Sequence, residues 1–473
     1  MNMHSSLSWR RGALAALLPI FAVVAQETGS APAPSSAPAP ASSVAAVAEA
    51  RVLEVVSWLA DDARAGRDTP SAGLEEAAEW LAARFKAAHL QQAVGGSWFH
   101  DYTLPGLQID STAVSLQLVR KHGDDKVDVA LVADTDVRLW RQGEAVTGED
   151  EGCTVADAAD PVLQRLLFAQ SGRQPIVVEV PEDHPFWIAS KGVRRALAGR
   201  RAASRPVFLV RKGLLPPPPG DERDVAWAAT WSTAAAEKID LTLHNVVGLL
   251  PGTDKKDEYV VVSAHYDHIG TGNPVNGDGI YNGADDDATG TTAVVLLAEE
   301  LAKLPAPRRS ILFVCFSGEE KGLLGSKAFG ERPPVPREQI VANLNIEMIG
   351  RPLEGNEGKA WITGSGYSDF AAIVGAGLGR AGVELVDFEM ANQLFAQSDN
   401  YSLARHGIVA HSISAGSLHK DYHRPSDEVG KLDIPHMAKI ITGLREALLE
   451  LANRDAAPQW TEAGKKVMER RRR

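Results

Sequence analysis

The chain has 473 residues, a formal net charge of −12 and 44% hydrophobic content. Its length exceeds what one compact core normally uses, so two domains with terminal appendages are expected. The acidic balance argues against a nucleic-acid partner, because no basic stripe stands out beyond the Arg470 to Arg473 run, and ordinary hydrophobicity argues against a polytopic membrane protein.

At the front, Arg10 and Arg11 precede an apolar run from Gly12 to Ala25, and Val23 and Ala25 are small enough for cleavage before Gln26. Residues 1–25 therefore read as a signal peptide, too short to span a bilayer comfortably and interrupted by Pro19. With no Cys following it, a lipid anchor is not expected, and the protein is predicted to be exported, periplasmic or extracellular. Residues 26–43 end in a stretch of Ala, Pro and Ser only, which cannot bury a core and reads as a linker.

Structure is predicted to begin with two packed helices, over Val44 to Ala65 and Gly73 to Ala88. In the second, Leu74, Ala77, Leu81 and Phe85 make one stripe behind the acidic first turn at Glu75 and Glu76. Between about Thr103 and Ala236, short alternating runs such as Val114 to Val119 and Pro206 to Val210 suggest a β-rich module, with a Pro-rich knot from Leu215 to Gly220 near its end. After His244 the pattern becomes strand, loop and helix in repetition. The predicted class is α/β, a mostly parallel central sheet sandwiched by helices, with the β-rich module inserted. The early helices lack a core of their own, so the expected division is a discontinuous domain of 44–102 and 237–455, an insertion of 103–236 and a solvated basic tail of 456–473. Cys153 and Cys315 are far apart in sequence, and no disulfide is expected.

Five stretches in the second half end in residues that bind hard or borderline metals: His265, Asp286, the pair Glu319 and Glu320, Glu347 and His423. Together they offer donors for two divalent ions sharing one carboxylate, with one carboxylate left to handle a proton, the inventory of a two-metal hydrolase. His265 closes the apolar strand Tyr259 to Ala264, and Asp267 is a candidate to hold its other ring nitrogen. Asp285, Asp286 and Asp287 crowd between Gly283 and Gly290 just before a helix, where one could cap the helix while another binds metal. Consecutive side chains at a strand end point different ways, so one of Glu319 and Glu320 can ligate while its neighbour faces water. Tyr422, beside His423, could stabilise an oxyanion.

The segments HYDHIG, NGADDDATG, FSGEEKGLLGS, NIEMIGR and DYHRPSDE resemble, in order, the motifs of the di-zinc aminopeptidases of metallopeptidase family twenty-eight. That family includes secreted bacterial leucine aminopeptidases and the glutamate carboxypeptidase group. The resemblance spans roughly residues 244 to 455, with weaker similarity in the helices before residue 100. It implies two Zn2+ per chain, the first held by His265 and Glu347, the second by Glu320 and His423, with Asp286 bridging and Glu319 as general base. It also implies a cis Asp286–Asp287 bond. One departure stands out: Glu347 occupies a position commonly filled by Asp, and its extra methylene requires a small backbone or rotamer shift. The position of the β-rich insertion resembles that of a protease-associated domain.

What the resemblance implies first is a metallo-aminopeptidase, in which zinc lowers the pKa of a shared water and Glu319 takes its proton as a peptide carbonyl is attacked. An acyl-amide hydrolase, a carboxypeptidase, a glutaminyl cyclase and an inactive binding or receptor module are the alternatives on the same fold. His268, His419, Asp399 and Tyr401 stay outside the primary set of site residues. Peptides are the expected partners, with no nucleic acid and no stable membrane span after signal cleavage.

Overall fold

A computed structural model of the chain describes residues 44–143, 146–158, 174–199, 205–217, 225–416 and 418–472. The signal peptide and linker expected over 1–43, and part of the Pro-rich knot, lie outside the described residues.

Ten strands form the main sheet. Its centre runs Val409–Ser414, Ile340–Ile346, Lys255–His265, Arg309–Phe316, all parallel to their neighbours. These strands are buried on both faces, which explains near-continuous apolar runs such as Ile311 to Phe316. On the flanks the pairing turns antiparallel, through Lys359–Ile362 on one side and Glu237–Leu250, Phe99–Asp110 and Val193–Leu197 on the other. The α/β class therefore holds, with the parallel arrangement concentrated at the centre.

Alternate side chains feed two cores. Val260 and Val262 face one side, packed with Val52, Val55, Leu74, Leu81, Phe85, Val294 and Leu444. Val261 faces the other, with Leu312, Val314, Phe329, Phe395 and Leu403. The early helices, Glu49–Leu59 and Ala72–Ala87, thus pack on the sheet as their apolar stripes require, and Ser71 caps the second by accepting from Leu74 N. The helical pattern read through Ala65 is cut short after Leu59. A tight turn over Asp62–Arg67 replaces it, with Ala65, Gly66 and Arg67 at φ of 46°, 67° and 50°. The physical reason is Arg67, which the turn swings into the interior, where it is fully buried.

Among the described residues the β-rich stretch builds two four-stranded sheets, one containing Val114–His122 and Ala226–Thr233, the other Ile176–Val180 and Val207–Arg211. They share a core of Leu116, Leu118, Leu139, Phe208, Val210 and Trp231. Phe99–Asp110 and Glu237–Leu250 pair antiparallel from Phe99 with Val246 to Gln108 with Glu237, and Ile109 joins that core. At the other end of the chain, Glu462–Arg472 is helical and buries Met468 on the second face of the main sheet, while Arg470 stays exposed. Cys153 and Cys315 are both free and buried, in separate cores. Among the described residues no helix is long and apolar enough to cross a membrane.

One buried histidine gives the fold a pH signature. His411, on strand Val409–Ser414, has its Nδ1 2.7 Å from Thr363 O and its Nε2 2.7 Å from Ser368 Oγ. Burial, only partly offset by the Thr363 carbonyl, lowers its pKa to about 4. The unfolded chain, with histidine near 6.5, therefore binds more protons between pH 6.5 and 4, and this group's contribution to stability is lost as the pH falls through that window. The full difference amounts to about 3 kcal/mol. In His411→Asn, unfolding free energy should depend on pH less steeply than in the wild type over this range, by up to one proton. Identical slopes in urea titrations would show that His411 does not titrate this way.

Candidate metal centre

The carboxyl ends of neighbouring parallel strands collect the site, where open α/β sheets place theirs. His265 ends Lys255–His265, Glu319 and Glu320 follow Arg309–Phe316, Glu347 follows Ile340–Ile346, and His423 lies in the loop after Val409–Ser414. Asp286 comes from the turn entering helix Gly290–Leu301, and its peptide bond to Asp287 is cis.

All five ligand-type residues converge. His265 Nε2 lies 3.2 Å from Asp286 Oδ1 and 3.4 Å from Glu347 Oε1. His423 Nε2 lies 3.1 Å from Asp286 Oδ2 and 3.4 Å from Glu320 Oε1. The two oxygens of Asp286 thus face different imidazoles. Nitrogen and oxygen donors at about 2.0 to 2.1 Å from one tetrahedral zinc stand roughly 3.3 Å apart, so these spacings fit two sites sharing Asp286. His423 Nε2 and Glu320 Oε1 are buried and, despite their proximity, form no hydrogen bond. Atoms that close without mutual alignment point towards a common third partner, and a mixed imidazole and carboxylate set suits zinc.

The neighbouring carboxylates hold the frame. Asp287 Oδ1 accepts from Gly290 N at 3.1 Å and Met348 N at 3.0 Å, tying the helix start to the strand end that bears Glu347. Asp285 Oδ1 accepts from Gly350 N at 2.7 Å, and Asp427 Oδ2 accepts from Asp285 N at 3.0 Å and Asp286 N at 3.2 Å. Of the three crowded acids, one faces the imidazoles and the other two brace backbone. Glu347 Oε2 accepts from Ser398 Oγ at 2.6 Å, which anchors the longer arm, while Met348 takes a positive φ of 50°.

The second ring nitrogen of His265 is met by backbone: Nδ1 lies 3.1 Å from the Asp267 carbonyl and 3.8 Å from its carboxylate. That carboxylate instead accepts from Glu319 N at 3.1 Å and Thr69 Oγ1 at 3.0 Å. Asp267 therefore holds the backbone of Glu319 through its side chain and meets His265 through its carbonyl.

Charge is strongly organised here. Burial drives the Glu319 carboxyl well above the ordinary range, with Asp399, Glu347 and Glu320 adding to it against His265. Against burial and the charge of Asp286, the imidazoles of His268 and His423 hold Glu320 down to about 2. Burial raises the Tyr422 hydroxyl, and the carboxylates of Asp286, Glu320, Glu347 and Glu319 raise it further, so it stays protonated. Its ring stacks on His423, with centroids 3.8 Å apart.

Two residues enter the site without having been singled out as primary. His268, three positions beyond His265, lies with Nδ1 2.8 Å from Glu320 Oε1. The second imidazole in HYDH was its only sequence signal. Arg67 gave none. Its Nε donates to Tyr266 O at 2.8 Å, its guanidinium donates to Asn282 O at 2.9 Å, Gly283 O at 3.2 Å and Leu59 O, and its own carbonyl accepts from His268 N at 3.2 Å. It binds together the two turns that carry His265 and Asp286.

Residues 245–448 match the model of peptidase family M28. A probable leucine aminopeptidase of Trichophyton verrucosum (strain HKI 0517) is 28% identical over 229 residues, covering 46% of this chain and 60% of that protein. A probable zinc metalloprotease of Pyrenophora teres f. teres (strain 0-1) is 28% identical over 172 residues, 34% of this chain and 37% of the relative. The chain thus spans 60% or less of the length of these two relatives. In fold it is similar to BSAP, a zinc aminopeptidase from Bacillus subtilis, with a TM-score of 0.51 and 15% identity over 86% of this chain and 95% of that one. The segment 245–448, which matches that family's model, contains every one of the converging ligand-type residues.

Proposed function

We propose that this chain is an exported, co-catalytic two-zinc exopeptidase that hydrolyses the N-terminal residue from peptides. The observation that carries the proposal is the split of Asp286, with one carboxylate oxygen toward His265 and the other toward His423. His265 and Glu347 would hold the first zinc, Glu320 and His423 the second, with Asp286 shared. When bound, such a pair supplies polarisation of a carbonyl and a water acidic enough to ionise near neutral pH.

The protein groups do the rest. Glu319, fixed through its backbone by Asp267, accepts the proton of the attacking water and passes it to the departing amine. Tyr422, kept protonated, donates to the developing oxyanion. Ser398 steadies Glu347. The choice of an aminopeptidase rests on the family and on relatives named leucine aminopeptidase. Export rests on the apolar run behind Arg10 and Arg11. We assign residues 103–236 to an inserted module, two of whose strands, the one running to Asp110 and Val193–Leu197, extend the edge of the main sheet.

The test is release of product from a panel of aminoacyl amides and their N-blocked counterparts, with and without chelator. Hydrolysis of the free-amine compounds, abolished by 1,10-phenanthroline and restored by Zn2+, is expected. Preference for the blocked compounds would indicate an acyl-amide hydrolase, and turnover indifferent to chelator would overturn the metal mechanism.

A further inference from the structure

We infer that His268 is an additional ligand of the second metal, so that this site draws four protein donors, Asp286, Glu320, His423 and His268, and the first only three. The inference rests on the two-zinc reading given above. His268 is completely buried, and among the described residues neither of its ring nitrogens has a hydrogen-bond partner. A buried imidazole without a partner costs free energy comparable to a lost hydrogen bond, unless something else takes up its lone pair.

Its position identifies that partner. Nδ1 sits 2.8 Å from Glu320 Oε1 and 3.9 Å from Asp286 Oδ2, on the side of the bridging carboxylate that faces His423. The Glu320 oxygen is itself without a hydrogen bond, so the short contact is not a directed donor and acceptor pair. His268 Nδ1, Glu320 Oε1 and His423 Nε2 are three buried atoms, mutually close and all unsatisfied, around one oxygen of Asp286. The rings of His268 and His423 meet edge to face, 5.6 Å apart, which leaves both nitrogens free to converge.

The backbone is built to admit the ring. Gly283 has φ of 56°, and a Cβ there would lie 2.3 Å from His268 Cγ and 2.5 Å from Cδ2. A side chain at 283 would displace the imidazole, and only glycine adopts that conformation without strain. Arg67 O then fixes the His268 backbone from behind.

The consequence is an asymmetric pair. Four protein donors make the second site the more completely filled of the two, whereas His265, Asp286 and Glu347 leave more of the first open to non-protein ligands. Graded chelation should therefore remove the two metals in distinct steps.

The decisive measurement is a crystal structure of the wild-type chain loaded with Zn2+ alone. Nδ1 of His268 is expected at about 2.1 Å from the ion bound by Glu320 and His423. In solution, His268→Gln and His268→Phe should lower the affinity for one of the two Zn2+ ions at least 10-fold in competition with a chromophoric chelator, and reduce the visible absorption of the Co2+ form. Two Zn2+ ions bound with Nδ1 beyond 3 Å from both would overturn this inference and leave the proposed function standing. A wild-type chain that binds no Zn2+ would overturn both. The wild-type crystal structure does not depend on either variant folding.

Discussion

Glu319→Gln should retain both metals and lose almost all turnover. Glutamine preserves the shape of the side chain, and the Glu319 backbone N–H that holds the turn to Asp267 is untouched. What disappears is the carboxylate that burial and three neighbouring acids have made an avid proton acceptor. General-base catalysis is worth about 10²- to 10⁴-fold, so kcat should fall by at least that range, with a much smaller change in KM. Metal analysis and steady-state kinetics on one preparation decide the matter. Substantial residual hydrolysis in a fully loaded variant would remove Glu319 from the role of base. Asp286→Ala is the contrasting case: it removes the one carboxylate that faces both imidazoles, so metal content itself should drop. A fully loaded Asp286→Ala protein would end the bridging assignment.

The contrast between these variants reflects what could be read from sequence. Acids and histidines at the ends of apolar strands are legible, because a run such as Ile311 to Phe316 has no structural use for two carboxylates directly after it. The convergence of His265, Asp286, Glu320, Glu347 and His423 follows from strand order, which alternation of strands and helices constrains to few arrangements. The antiparallel flanks were less visible, since Glu237–Leu250 pairs with residues 129 to 147 positions earlier, across the β-rich stretch. Asp267 illustrates a finer limit. Its proximity to His265 was readable, but whether carbonyl or carboxylate meets the ring depends on a backbone turn that no side-chain pattern encodes. His268 could be seen but not ranked, because its significance lies in having no hydrogen-bond partner among the described residues.

Arg67 lay furthest from view, and its replacement should have the second large effect. The residue sits where helical periodicity was expected to have just ended, and a buried arginine has no periodic signature. Yet its guanidinium occupies the carbonyls of Leu59, Tyr266, Asn282 and Gly283, and it carries a positive charge beneath Asp267, Asp286, Asp427 and Asp287. Burial lowers its pKa to about 10 against those carboxylates, so it remains charged at neutral pH. Arg67→Met would fill similar space while stranding four acceptors and leaving the acid cluster uncompensated. Each stranded buried acceptor costs about 1 to 3 kcal/mol, so a loss of at least 4 kcal/mol is expected, with zinc released at lower chelator concentration because the turns bearing His265 and Asp286 lose their common tie. Arg67→Lys should recover little, since one ammonium cannot reach carbonyls spread around a planar fork. Urea unfolding of the metal-free protein, read beside zinc retention, separates the two effects. If Arg67→Met matched the wild type in both, the metal-bearing turns would have to owe their positions to Asp427 and Asp287 alone.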